Sequence, residues 1–202
     1  MIGTATGAAF LIPENIGNYI AIFTGLVWKF YDDYVDLGLS IRPAIIEFLK
    51  LTVALSTTLL LGLNTYLAII FAALTAFVFI EGVAETPFWK AGAIIPLIML
   101  ALGLPYFSYN SIGEVIYFFG ALVVCSATLF AEHKFFPEEI SWKKAAVRIL
   151  TAGFTFIFPY MFPQYSYSRA FLLIAFWNLG YTTAWLGVHA YQALSSTTAD
   201  SE

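Results

Sequence analysis

The sequence predicts an all-α polytopic transmembrane helix bundle of about seven crossings. Three observations carry that expectation. The 202 residues are 60% hydrophobic and only 11% charged, whereas a soluble domain carries about 25% charged residues. That is too little charge to solvate a globular surface. The apolar residues fall into runs close to the roughly 20 residues that a helix needs to cross a bilayer. Long runs such as 65–80 do not alternate, as the strands of a membrane barrel would. The basic residues, finally, gather in alternate connections.

Seven apolar segments follow in order: A at 14–31, B at 44–62, C at 65–82, D at 88–104, E at 111–131, F at 145–162 and G at 168–194. Turn formers separate them. Gly62-Leu63-Asn64 divides B from C, Glu85-Thr86-Pro87 divides C from D, and Leu104-Pro105 divides D from E. Pro137 follows E, and Pro159 to Pro163 close F. Proline removes a backbone donor and glycine loosens the chain. Such breaks belong at the interfaces, because lipid offers no partner to a bare amide. Residues 1–194 read as one transmembrane domain, and the small, polar, acidic stretch 195–202 reads as a disordered cytoplasmic tail. The first basic residue is Lys29, so no positive region precedes the first apolar run and no secretory signal is expected. Cys125 is the single cysteine, which excludes an intrachain disulfide.

Alternating the seven segments puts the A–B, C–D and E–F connections on the side of the C-terminus. Lys29, Arg42, Lys50, Lys90, Lys134, Lys143, Lys144 and Arg148 fall there, eight of the nine basic residues, against Arg169 alone opposite. This positive-inside pattern predicts an integral, multi-pass protein with its N-terminus outside and its C-terminus in the cytoplasm. Membrane lipid is then the surrounding partner. A net charge of −4 without a basic tract argues against nucleic acid.

Acidic residues contribute little to orientation, yet they cluster on the same side. The sharpest pattern is Asp32-Asp33-Tyr34-Val35-Asp36, in which positions three and four apart share a helix face. Carboxylates held that close repel one another, and Mg²⁺ relieves the repulsion by sharing one or two carboxylates with substrate phosphates. Asp32, Asp33 and Asp36 are therefore candidate metal ligands and catalytic residues for a Mg²⁺–diphosphate headgroup. Glu132, His133, Glu138 and Glu139 form a second acidic group after segment E, with Glu138 and Glu139 as further candidate metal ligands. Lys29, Arg42 and Lys134 are candidate phosphate-binding residues. Glu47, a turn inside segment B, joins them as a candidate substrate contact, because ionisable groups within membrane segments are costly. The bland reading of the Asp cluster is a solvated loop. That of Glu138-Glu139 is a helix start behind Pro137.

The stretches 29–33 and 134–139 are alike: each joins an apolar segment to a charged connection, 105 residues apart. That offset is four crossings and preserves direction, which suggests a parallel repeat A–B–C and E–F–G around D. The arrangement resembles the UbiA superfamily of intramembrane prenyltransferases, which carries two Asp-rich motifs on cytoplasmic loops four helices apart. Asp32, Asp33 and Asp36 match the first motif, and Arg42-Pro43 follows at a spacing where that family often has Arg-Pro. The 132–139 loop matches the second motif by position. The resemblance implies Mg²⁺, a prenyl diphosphate substrate, and transfer or cyclisation of the prenyl group. Trp28-Lys29 stand where that family usually has Asn-Asp, and the second motif here is built on Glu. Two other classes remain open: a small-solute or ion transporter or channel with a 3+1+3 arrangement, and a non-catalytic subunit of a membrane complex.

Overall fold

In a computed structural model the protein is described over residues 14–36, 41–64, 66–71, 111–135, 142–165 and 167–199. These residues form helices and their connections, with no strand among them. The helices are α1 (Glu14–Asp36), α2 (Pro43–Leu63), α3 (described over 66–71), α4 (Ile112–Phe135), α5 (Trp142–Met161) and α6 (Ser168–Ala199). Segments A, B, E, F and G coincide with α1, α2, α4, α5 and α6, and segment C begins with α3. Segment D and the rest of segment C lie outside the described residues.

The helix ends follow from local chemistry. Pro43 occupies the first turn of α2, where its missing N–H costs nothing. Asn64 leaves the helix with an extended backbone. Its side-chain oxygen accepts the Tyr66 N–H at 2.9 Å and its carbonyl accepts the Leu67 N–H at 3.1 Å, so one residue ends α2 and opens α3. Ser111 caps α4 by accepting the Glu114 N–H on its hydroxyl at 3.2 Å. Pro159 does not stop α5 outright, since the helix runs two residues further to Met161. A proline this close to the end disturbs only the last turn. The helix α6 continues to Ala199, through most of the stretch expected to be disordered. Propagating a formed helix adds a hydrogen bond for each residue ordered, which Ser and Thr do not prevent.

Contacts between the helices set their directions. Alongside Gly17 of α1 lie Leu63 of α2 and Arg169 of α6, while Trp28 of α1 meets Thr57 and Trp177. Thus α1 runs antiparallel to α2 and parallel to α6. Phe158 of α5 touches Phe171 near the start of α6, and Arg148 lies over Trp185 further along it, so these two are antiparallel. Phe118 of α4 meets Tyr167 and Phe171, which aligns α4 with α6.

The most extensive packing joins α1 to α6, and two glycines permit it. A Cβ on Gly25 would collide with the Trp177 carbonyl and the Tyr181 amide. One on Gly180 would collide with the Ile22 carbonyl and the Leu26 amide. The two backbones therefore touch directly, as small residues allow in membrane helix pairs. Around this crossing the core divides in two. An aromatic cluster of Tyr66, Phe118, Phe158, Tyr167 and Phe171 fills the end where α2 stops and α4 and α6 start. Val27, Trp28, Tyr31 and Val53 form a smaller cluster toward the other end.

Trp28 donates its indole N–H to the Thr57 hydroxyl at 2.7 Å, a buried link between α1 and α2. We expect Thr57→Val to lower stability by about 1 kcal/mol, the usual net worth of such a bond. Thermal unfolding in detergent measures it, and an unchanged midpoint would show that the bond contributes nothing.

The outer faces are apolar: Tyr19, Phe48, Leu55, Ile116, Leu150 and Leu186 are all exposed. Isolated exposed apolar residues are normal, but large apolar side chains are exposed here on each of α1, α2, α4, α5 and α6. Two helical stretches, Pro43–Leu63 and Ser168–Tyr191, are long and apolar enough to cross a membrane. The apolar stretches Ile112–Val124 and Ala146–Met161 are shorter.

Candidate functional site

Past the α1–α6 crossing, the end of α1 turns from apolar to charged. Lys29, Asp32 and Asp33 stand at i, i+3 and i+4, the spacing that brings side chains together on one helix face. The Lys29 ammonium bridges the two carboxylates, 2.9 Å from Asp32 Oδ2 and 2.7 Å from Asp33 Oδ1. These groups are buried: Lys29 is 7% exposed and Asp33 3%. From α6, Tyr181 donates its hydroxyl to Asp32 Oδ2 at 3.1 Å and turns its ring toward Lys29, with Nζ 5.3 Å from the centroid.

A second cation arrives from α5. The Arg148 guanidinium lies 5.4 Å from the Tyr181 ring and 4.9 Å from the Trp185 ring. Cations at such distances from ring faces gain from the ring quadrupole, more so when desolvated. One turn further along α6, His189 meets the Trp185 ring edge-on at 5.1 Å. Toward the interior, Trp177 stacks on Tyr181 at 5.0 Å and meets Trp28 at 6.3 Å and Phe71 at 5.5 Å. The charged group is thus continuous with an aromatic wall that leads into the bundle.

Burying charge is costly unless each group is paired and hydrogen-bonded. Here two carboxylates share the Lys29 ammonium, and Arg148 lies over the Tyr181 ring that bonds Asp32. The satisfaction is incomplete, because Asp33 Oδ2 and the Trp177 indole nitrogen are buried with no hydrogen-bond partner. An acceptor left bare in this way is the feature that a ligand or ion would complete.

The structure brings together only part of what the sequence suggested. Asp36 is the last residue of α1, and its side chain lies outside the described residues, as do Glu138 and Glu139 entirely. Arg42 is exposed just before α2, and Lys134 is exposed near the end of α4. Glu47 is exposed on α2 and pairs with Lys50 at 2.7 Å, which makes it a surface ion pair of neighbouring turns rather than part of the cluster. Lys29 also differs from expectation: it binds the carboxylates it was expected to work beside. Conversely, Tyr181, Trp185 and His189 of the apolar helix α6 were not among the candidates. Their spacing at i, i+4 and i+8 on one helix face was the available signal.

Among the described residues no group of three or more His, Cys, Asp or Glu stands ready to hold a metal ion. The Asp32–Asp33 pair still suits Mg²⁺, which needs only one or two carboxylate oxygens when phosphates and water supply the rest. Fold and site together define an all-helical bundle, two of whose described helices are long and apolar enough to cross a membrane, with a buried, ion-paired acidic doublet at the end of its first described helix. No family model, no curated protein and no solved structure matches the chain.

Proposed function

We propose that the chain is a multi-pass membrane protein that binds a prenyl diphosphate with Mg²⁺ at the inner end of α1 and acts as an intramembrane transferase or cyclase. In this reading the N-terminus lies outside and the C-terminus in the cytoplasm. One observation carries the proposal. The buried Asp32–Asp33 doublet has an unpartnered carboxylate oxygen, lies beside the cations Lys29 and Arg148, and adjoins an aromatic wall. A diphosphate headgroup needs cations and a metal site, while its hydrocarbon tail needs an apolar path, and the three are contiguous here.

Each residue then has a role. Asp32 and Asp33 would hold the metal, with Asp36, the last residue of α1, as a further candidate ligand. Arg148 binds phosphate oxygens through its planar fork of donors. Tyr181 orients Asp32, and Trp177 and Phe71 flank the start of the hydrocarbon tail. Bound Mg²⁺ supplies Lewis-acid stabilisation of the departing diphosphate. Arg42, Lys134, Glu138 and Glu139 are second-rank candidates from the neighbouring connections.

The test is saturable, Mg²⁺-dependent binding of a radiolabelled prenyl diphosphate to purified protein. The comparison is an Asp32→Asn/Asp33→Asn/Asp36→Asn variant. Asparagine keeps the shape but leaves Lys29 buried without its carboxylates, so the variant is compared as protein shown to be folded, beside the charge-balanced Lys29→Met/Asp32→Asn/Asp33→Asn. We expect affinity to fall by about 100-fold, from the ~1.5–3 kcal/mol that a charged hydrogen bond contributes. Equal binding by the variant would end the proposal. No binding by folded wild-type protein would end it too, and would favour a transporter or an accessory subunit.

A further inference from the structure

We infer that Lys29 is a built-in counter-cation that keeps a lone divalent metal ion out of the Asp32–Asp33 doublet, so that metal enters only together with an anion. The inference rests on the diphosphate reading for the identity of that anion, but not for the role of Lys29.

The geometry is that of a bridging cation. A single ammonium contacts one oxygen of each carboxylate, at 2.9 Å and 2.7 Å. A metal ion shared by the two groups, even one that used their other oxygens, would lie against the ammonium that already bridges them. Lys29 sits one helical turn before the doublet on the same face, so its reach is set by α1 alone. Tyr181 holds Asp32 from the far side, at 3.1 Å, and its ring covers the ammonium. The lysine is enclosed rather than swinging in water.

Charge makes the consequence definite. The Lys29 ammonium lies within 2.9 Å of both carboxylates, and Arg148 brings a second cation to the Tyr181 ring. A dication entering the doublet would be pressed against that ammonium in a buried setting of low dielectric, which is strongly disfavoured. A metal–diphosphate complex carries its own negative charge and removes that penalty. It also offers phosphate oxygens to the ammonium once Lys29 releases the carboxylates. The unpartnered Asp33 Oδ2 gives the incoming metal a contact that requires no prior bond to break. Lys29 is therefore a positioning residue that enforces joint entry.

Equilibrium dialysis of purified protein in lipid nanodiscs with radiolabelled Mn²⁺ tests the idea. Wild-type protein should retain no saturable Mn²⁺ at this site when metal is offered alone. Lys29→Gln keeps an amide donor for the carboxylates and removes the charge. It should bind Mn²⁺ alone at least about tenfold more tightly, the scale of removing one neighbouring charge. Lys29→Arg should restore the wild-type exclusion, which a role in folding alone would not predict. Saturable wild-type binding of Mn²⁺ alone that disappears in Asp32→Asn/Asp33→Asn would overturn the inference, and this comparison does not need any Lys29 variant to fold. A folded Lys29→Gln with no gain would overturn it as well. Adding inorganic pyrophosphate separates the two ideas. Wild-type protein that still retains neither metal nor labelled pyrophosphate, while Lys29→Gln binds Mn²⁺ alone, upholds the role of Lys29 and removes the diphosphate reading.

Discussion

Leucine in place of Gly180 is expected to unseat α1 from α6 and to cost more than about 3 kcal/mol, above the usual range for overpacking. The reason is the nature of the obstacle. Ordinary overpacking pushes against side chains that can change rotamer. A Cβ at 180 meets the carbonyl of Ile22 and the amide of Leu26, and one at 25 meets the backbone at Trp177 and Tyr181. Neither backbone can yield without moving the whole helix, so the crossing must open. Opening it would also pull Tyr181 from Asp32 and Trp177 from Trp28, and the charged cluster would lose its α6 side. Gly25→Leu should behave alike. Gly153 and Gly187 are the controls, because a Cβ at either has nothing within 4 Å. Alanine there should be neutral or gain up to about 1 kcal/mol from helix propensity. Thermal unfolding followed by tryptophan fluorescence in detergent distinguishes the two pairs. A Gly180→Leu protein with the wild-type midpoint would show that the helices do not cross in this way.

Removing the charge of Lys29 should be nearly as damaging, for an electrostatic rather than a steric reason. Lys29→Met leaves Asp32 and Asp33 buried beside each other without the ammonium between them, and breaking a buried ion pair from one side costs about 3–5 kcal/mol. Replacing all three charges together should restore most of that loss, since an uncharged group of similar shape has no desolvation penalty to offset. The triple variant Lys29→Met/Asp32→Asn/Asp33→Asn is therefore expected to unfold close to the wild-type temperature. A triple variant no better than Lys29→Met would mean that the lysine stem, and not its charge, holds this end of α1.

Much of the helical order was legible in the residues because long apolar runs bounded by turn formers leave few choices. Composition, run length and turn formers located α1, α2, α4, α5 and α6 to within a few residues at most ends. The exceptions have local causes. The helix α1 extends from Tyr31 to Asp36 because its charged end, with its own i, i+3 and i+4 ion pairs, is as helical as the apolar part. The Ser/Thr-rich end of α6 is carried along by the helix before it. For the site, the Asp32–Asp33 doublet stood out because carboxylates at the edge of an apolar run are conspicuous. Its partners did not. Tyr181 lies 149 residues away from Asp32, and no local pattern pairs a tyrosine in one apolar segment with an aspartate in another. Glu47 was legible as a charge in a membrane segment, but not as one that faces outward to Lys50.

By itself, then, the sequence determined the class of fold, the helical segments and the acidic end of α1, all of which depend on residues near one another in the chain. The tertiary structure decided which helices touch, and that choice rested on Gly25 and Gly180. Only where both backbones lack a Cβ can α1 and α6 approach closely enough for Tyr181 to reach Asp32 and for Arg148 to lie over the same ring. It also decided that Lys29 bridges the doublet, because an ammonium abandons water for two carboxylates only when packing has already taken the water away.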